Sequence, residues 1–135
     1  MRLSSYPYTL SKLNYYIHLT NNAVQANCPH FNALVEGNII SIQDVEKHAR
    51  EKQSNLEVGT FMKQISRIVR LVFNSTYDIL NVKGRKGCFE LYGFDFMIDE
   101  NFKVWLIEVN SGPSLSESNE YLSRLLHRMM GKSSQ

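Results

Sequence analysis

The sequence predicts a mixed α/β (α+β) chain in which an antiparallel strand pair is packed by helices, and three stretches carry that prediction. Residues 89–113, FELYGFDFMIDENFKVWLIEVNSGP, read as two strands joined by a tight turn. Tyr92, Phe94, Phe96, Val104, Trp105, Leu106, Ile107 and Val109 suit a pleated, buried surface, and Asp99-Glu100-Asn101 is turn chemistry between them. Residues 58–80 place Phe61, Ile65, Ile68, Val69, Val72 and Phe73 at helical spacing, which makes one broad apolar stripe. Ser41-Ile42-Gln43-Asp44 is a capping-box-like helix start.

Taken in order, residues 2–10 read as an extended segment ending in a turn, because Tyr6 precedes Pro7. Tyr15 to Leu19 are a short strand candidate, closed by the turn residues Thr20-Asn21-Asn22. His18 alternates with Tyr16 and Thr20 and reads as a packed or half-exposed strand residue rather than a catalytic one. Residues 26–40, with Pro29, Gly37 and several asparagines, read as a surface loop. The helix opened by Ser41 runs to about Gln53, and its Lys47, His48, Arg50 and Lys52 form a solvated face. On the long helix, Lys63, Arg67 and Arg70 lie off the apolar stripe. Residues 82–87, VKGRKG, are a basic turn into the first hairpin strand and lack Walker-loop spacing. A last helix contains Tyr121, Leu122, Leu125, Leu126 and Met129, with Ser116 or Ser118 as its cap, and residues 132–135 are a polar tail.

At 135 residues the chain is one domain at most, and 43% hydrophobic residues are enough to bury a core. Lys plus Arg is 15 against 13 for Asp plus Glu, a net charge of +2, so neither a nucleic-acid nor a membrane-surface partner is expected. Cys28 and Cys88 form no disulfide framework and no metal spacing, and read as reduced thiols. Neither a signal peptide nor a membrane span is visible, so a cytoplasmic location is expected.

Asp95, Glu108 and Asn110 break the apolar runs of the hairpin. Glu108 and Asn110 are two apart and share a face. A two-residue loop at Asn101-Phe102 pairs Glu100 with Lys103 and brings Asp95 opposite Glu108, roughly 5 Å apart at Cβ. Two carboxylates side by side repel unless something positive lies between them. A hard cation such as Mg²⁺ or Mn²⁺ takes such oxygen ligands; Lys or Arg from elsewhere in the fold is the alternative counter-charge.

The hairpin resembles the C-terminal metal-binding hairpin of the tubulin tyrosine ligase family, in the ATP-grasp superfamily. The aromatic-Gly-aromatic-Asp strand, the acidic turn and the W-L-I-E-V-N strand are all present. The family's H-L-T-N motif stands at His18 to Asn21, and its Arg followed by Ser-Ser-x-Pro-Tyr stands at Arg2 to Tyr8. The resemblance implies that residues 1–131 are part of a ligase domain and form the C-terminal lobe of an ATP-grasp fold. It implies ATP and Mg²⁺ (or Mn²⁺) as cofactors, with Asp95, Glu108 and Asn110 as metal ligands and Glu108 best placed to bridge two ions. Thr20 and Asn21 would contact ATP, and Arg2 would stabilise the γ-phosphate or an acyl phosphate that an amine then attacks. The implied partners are tubulin, through its C-terminal tails, or microtubules, and a free amino acid. The implied location is the cytoskeleton, including a cilium or flagellum axoneme.

Two departures from the pattern bear on activity. The family's α- and β-phosphate lysines and its adenine-binding backbone come from segments upstream of the position of Arg2. The chain is therefore expected to be a partial ligase that binds nucleotide weakly and does not turn over alone, with apolar surface exposed where the other lobe packs. Ala23 stands where glutamate ligases tend to carry a small hydroxyl residue, and the hairpin wording is nearest to the tyrosine ligase itself; tyrosine, glutamate and glycine all stay open. The competing readings are a truncated pseudo-ligase that only binds tubulin or another partner, and a metal-dependent nuclease, disfavoured because Asn110 stands where a Lys is required.

Overall fold

The computed structural model describes residues 1–31, 38–80, 83–115 and 120–131. It contains five helices and one strand pair among those residues: α1 (Tyr15–His18), α2 (Asn22–Gln25), α3 (Ile42–Lys52), α4 (Thr60–Leu80), β1 (Tyr92–Ile98), β2 (Val104–Ser111) and α5 (Glu120–Met129). The α+β expectation holds. The chain divides into two compact units, Met1–Val45 with Leu115–Gln135, and Glu46–Ser114.

The second unit is built on α4 and the hairpin. Phe61 is fully buried, Val104 nearly so, and Ile65, Ile68, Val69 and Val72 are half-buried along the predicted stripe. Phe73 lies edge-on to Tyr92 at 5.7 Å between centroids and tilted against Phe94 at 5.9 Å. These contacts identify the inner face of β1 as the one carrying Tyr92, Phe94, Phe96 and Ile98. Gln64 ties helix to sheet: its Nε2 donates to the Phe102 carbonyl at 3.1 Å and its Oε1 accepts the Val104 N–H at 2.9 Å.

The long helix starts where Gly59, at φ 78°, offers its carbonyl to the Lys63 N–H. Glu46, on α3 and almost buried, reaches that start: its carboxylate accepts the N–H of Gly59 at 3.0 Å and of Phe61 at 3.1 Å. A carboxylate at a helix N-terminus satisfies donors that have no partner within the helix and meets the positive end of its dipole. Glu46 carries no signal in the sequence, where it reads as one more polar residue of α3.

In the first unit, residues 1–3 pair with 38–40: Arg2 bridges Ile39, Leu3 N–H donates to the Asn38 carbonyl and Ile40 N–H to the Met1 carbonyl. Of the extended segment expected at residues 2–10, this pairing covers the start. The strand expected at Tyr15 to Leu19 is instead helix α1. Asn14, in extended backbone, accepts the Tyr16 N–H on its side chain, and Asn21 does the same for Ala23 N–H at the start of α2. Two asparagine caps that bond their own backbone two residues on outweigh the β-preference of Tyr-Tyr-Ile. The Ser41 cap of α3 is formed: its Oγ accepts the Asp44 N–H at 3.1 Å and donates to Asp44 Oδ2 at 2.5 Å. The helix expected after Pro113 is α5, although its predicted cap at Ser116 or Ser118, the polar tail at 132–135 and residues 32–37 of the expected surface loop lie outside the described residues. Cys28 is buried and Cys88 exposed, both as free thiols. No helix among the described residues is long and apolar enough to cross a membrane.

Replacing Glu46 tests the buried cap. Glu46→Ala leaves the Gly59 and Phe61 N–H groups unpaired, and is expected to destabilise the second unit by about 1–3 kcal/mol. Glu46→Gln, which keeps an acceptor, is expected to cost less. Denaturant unfolding of the two variants measures the difference.

Candidate functional site

The hairpin turn is one residue longer than the spacing predicts. Asp99, not Glu100, closes it: Asp99 N–H donates to the Lys103 carbonyl and Phe102 N–H to the Asp99 carbonyl, both at 3.0 Å. Phe102 takes the left-handed conformation, φ 60°, that ends a three-residue loop. This is costly backbone for a bulky residue. Two contacts hold it: the Gln64 bond to its carbonyl, and its ring 6.4 Å from that of Phe61.

Asp99 organises the loop. One carboxylate oxygen accepts the Asn101 and Lys103 N–H groups, both at 2.9 Å, and the other accepts the Trp105 indole N–H at 2.7 Å. The Lys103 ammonium sits 3.8 Å from the Trp105 ring centroid. The indole bond first, and the Lys103 backbone bond second, hold the Asp99 carboxyl below its ordinary range.

With that loop the register pairs Ile98 with Val104, Met97 with Trp105 and Phe96 with Leu106, so an unbroken ladder would set Asp95 against Ile107. It is not unbroken. A bulge follows, and Asp95 pairs with Glu108, Phe94 with Val109, and Gly93 with Asn110. The expected partnership of Asp95 and Glu108 is present, but a longer turn and a compensating bulge produce it, in place of the expected two-residue turn.

The bulge also decides the face. In a regular strand Glu108 would share a face with Val104 and Leu106, which point inward with Ile98 and Phe96. The extra residue, Ile107, turns Glu108 outward beside Asp95. Asp95, Glu108 and Asn110 are all exposed on that outer face. Asn110 Nδ2 donates to Glu108 Oε1 at 3.1 Å. Among the described residues no Lys or Arg pairs with Asp95 or Glu108; the ion pairs are His48–Glu51 and Lys63–Glu57. An oxygen-only set of two carboxylates and one amide fits Mg²⁺ or Mn²⁺, which takes few protein ligands. It is not a larger cage: among the described residues there is no group of three or more His, Cys, Asp and Glu.

Apolar neighbours flank this patch. Met97, Trp105 and Ile107 are 59%, 48% and 58% exposed. Gly93 completes the arrangement in a way its sequence does not announce. A Cβ there would lie 3.0 Å from Pro113 Cβ, so the chain after β2 packs tightly over the bare backbone of this glycine.

The remaining candidates lie in the first unit. Arg2 is held by its backbone bridge to Ile39, with an exposed side chain. Thr20 and Asn21 are exposed in the junction between α1 and α2, where Asn21 caps α2. His18 ends α1, its Nε2 3.0 Å from the Lys12 carbonyl, a local contact in keeping with a structural role.

Comparison with known proteins gives this geometry a context. The sequence model of the Tubulin-tyrosine ligase family matches residues 1–133. The chain belongs to that family. It is 34% identical over 120 residues to a Mus musculus protein named "Probable tubulin polyglutamylase", covering 88% of this chain and 25% of the relative. It is 32% identical over 130 residues to the tubulin monoglycylase of Mus musculus, covering 93% of this chain and 14% of the relative. It is 33% identical over 116 residues to the protein polyglycylase of Rattus norvegicus, covering 81% and 17%. The chain thus spans a quarter or less of the length of these relatives.

Two measurements check the geometry. Gly93→Ala requires Pro113 to give way, and an overpacking cost of about 1–3 kcal/mol is expected in thermal or denaturant unfolding. Asp99, whose folded carboxyl titrates below its ordinary value, stabilises the hairpin above the unfolded value of about 3.9, and that contribution is lost as pH falls through the lower folded value. Melting followed by Trp105 fluorescence is expected to fall more steeply below about pH 4 in the parent than in Asp99→Asn.

Proposed function

We propose that this chain, over residues 1–131, is part of an ATP-dependent ligase domain that adds an amino acid to tubulin, and that it forms the C-terminal lobe of an ATP-grasp fold. The reading rests on the outer face of the hairpin, where Asp95 and Glu108 oppose each other with Asn110 bonded to Glu108. Bound there, Mg²⁺ or Mn²⁺ would neutralise charge developing on transferring phosphoryl oxygens. Asp95, Glu108 and Asn110 hold that cation, and Asn110 fixes the orientation of the Glu108 carboxylate. Thr20 and Asn21 contact the nucleotide. Arg2 sets a positive charge at the γ-phosphate or acyl phosphate. The apolar Met97, Trp105 and Ile107 around the patch exclude water once covered, which strengthens every charge interaction there.

The acceptor is tubulin, through its C-terminal tails, and the setting is cytoplasmic and cytoskeletal, with the axoneme included. The relatives are named for glutamylation and glycylation, so glutamate and glycine are the first amino acids to test, with tyrosine beside them.

The test uses the full-length protein that carries this chain. Incorporation of labelled amino acid into tubulin is expected to fall by about a hundredfold or more in Asp95→Asn and Glu108→Gln. Mn²⁺ binding should be lost in parallel, while the far-UV spectrum and melting temperature hold. Chelation of divalent cations should silence the parent. Full activity in either variant overturns the metal assignment. A parent protein that binds tubulin and metal-free nucleotide but transfers nothing would instead support a partner-binding pseudo-ligase.

A further inference from the structure

A second polar cluster, in the first unit, has no part in the reading above. Gln25 is 1% exposed at the end of α2. Burying a carboxamide is costly unless its hydrogen bonds are made, and those of Gln25 are made to two separate segments. Its Oε1 accepts the Ser5 N–H at 3.1 Å and the Ser5 hydroxyl at 2.6 Å. Its Nε2 donates to the Tyr16 carbonyl at 3.1 Å and the Leu19 carbonyl at 2.6 Å. Asn38, buried with φ 60°, donates from Nδ2 to Ser5 Oγ at 2.9 Å and approaches Gln25 Oε1 at 3.5 Å.

Each arm of this clamp ends next to a candidate ligand-contacting residue. Ser5 is three residues from Arg2, on the segment whose Leu3 N–H bonds the Asn38 carbonyl. Leu19 immediately precedes Thr20 and Asn21. The carbonyl of Leu19 is spent on Gln25, so the peptide plane leading into Thr20 is fixed. Local caps cannot do this, since the Asn21 side chain bonds only Ala23, within α2.

We propose that Gln25 is a positioning residue whose buried carboxamide sets the segment carrying Arg2 and the turn carrying Thr20-Asn21 in one fixed relation. Nucleotide and phosphoryl group then meet a preformed set of contacts rather than two segments that must be ordered on binding. The inference rests on the proposed nucleotide role of Arg2, Thr20 and Asn21.

The experiment uses the full-length protein carrying this chain, with KM for ATP, KM for tubulin and kcat measured beside the melting temperature. Gln25→Leu keeps the size and removes every side-chain bond that Gln25 makes; KM for ATP is expected to rise, or kcat to fall, by roughly tenfold to a hundredfold in the folded enzyme, while KM for tubulin stays within twofold. Ser5→Ala, which keeps the Ser5 N–H bond to Gln25 but loses the hydroxyl bonds to Gln25 and from Asn38, is the variant to read should Gln25→Leu not fold. It is expected to move the same constants in the same direction by a smaller factor. In the double variant the two effects should not add, because they act through one clamp. Loss of stability with unchanged ATP constants in Gln25→Leu or Ser5→Ala overturns the positioning role and leaves the ligase reading intact. A parent protein that binds no nucleotide overturns both.

Discussion

A strand pair allows each side chain one of two faces, and a single extra residue exchanges them. The hairpin of this chain depends on that constraint. Its inner face must supply Tyr92, Phe94 and Phe96 to α4, while its outer face collects Asp95, Glu108 and Asn110. A perfectly regular β2 cannot do both. Val104, Leu106 and Glu108 are in phase, so burying the first two would bury the carboxylate with them. The bulge at Ile107 breaks the phase at the point where the strand changes from packing to exposed chemistry. On β2 the buried Val104 and half-buried Leu106 lie before that break, and the exposed Glu108 and Asn110 after it. The bulge is therefore a condition of having both in one hairpin.

The turn at the far end works with the bulge. Lengthening the loop by one residue shifts the register by one, and the bulge shifts it back, so Asp95 meets Glu108 although neither feature alone would allow it. The loop is held in that length by groups outside the ladder. Asp99 gathers two backbone N–H groups and the Trp105 indole, and Gln64 satisfies the Phe102 carbonyl and the Val104 N–H. The strain of Phe102 at φ 60° is thus supported from α4. Because α4 in turn starts on the buried carboxylate of Glu46, the position of the outer face is traceable through three side chains to α3.

Much of this was legible in the sequence, and the failures have physical reasons. The amphipathic stripe of α4 and the Ser41 cap of α3 depend on residue type at fixed spacing, so they were readable, as was the presence of two strands around Asp99. The pairing of Asp95 with Glu108 was readable because polar side chains in an apolar hairpin are conspicuous. The turn length was not, since Asn101-Phe102 gives no sign that Phe102 adopts a conformation suited to glycine. One trace of the bulge was present: Glu108 in phase with Val104 and Leu106 is an inconsistency that a phase shift resolves. Tyr15 to Leu19 misread as a strand because residue preference was weighed without the two asparagine caps that flank it. Gln25, Glu46 and Gln64 were illegible in principle. Their importance lies in partners 6 to 40 residues away, and a lone polar residue on a helix says nothing of those.

The long-range polar clamps divide by chemistry, and the division has a consequence. Two of them, Gln25 and Gln64, are amides that use both ends, donating to a carbonyl on one side and accepting an N–H on the other. A carboxylate could replace the acceptor half but would repel the carbonyl that the amide now donates to. An amide also carries no charge at any pH, so the relation it enforces does not vary with protonation. Where only N–H groups must be bound, at the start of α4 and in the hairpin loop, carboxylates stand instead, Glu46 and Asp99, and gain from ionic hydrogen bonds. Acid therefore acts selectively: it weakens the hairpin loop through Asp99, which is exposed to protons, while the two amide clamps are untouched. The neutral clamps bond Ser5, Leu19 and Val104 through groups whose charge does not vary with protonation.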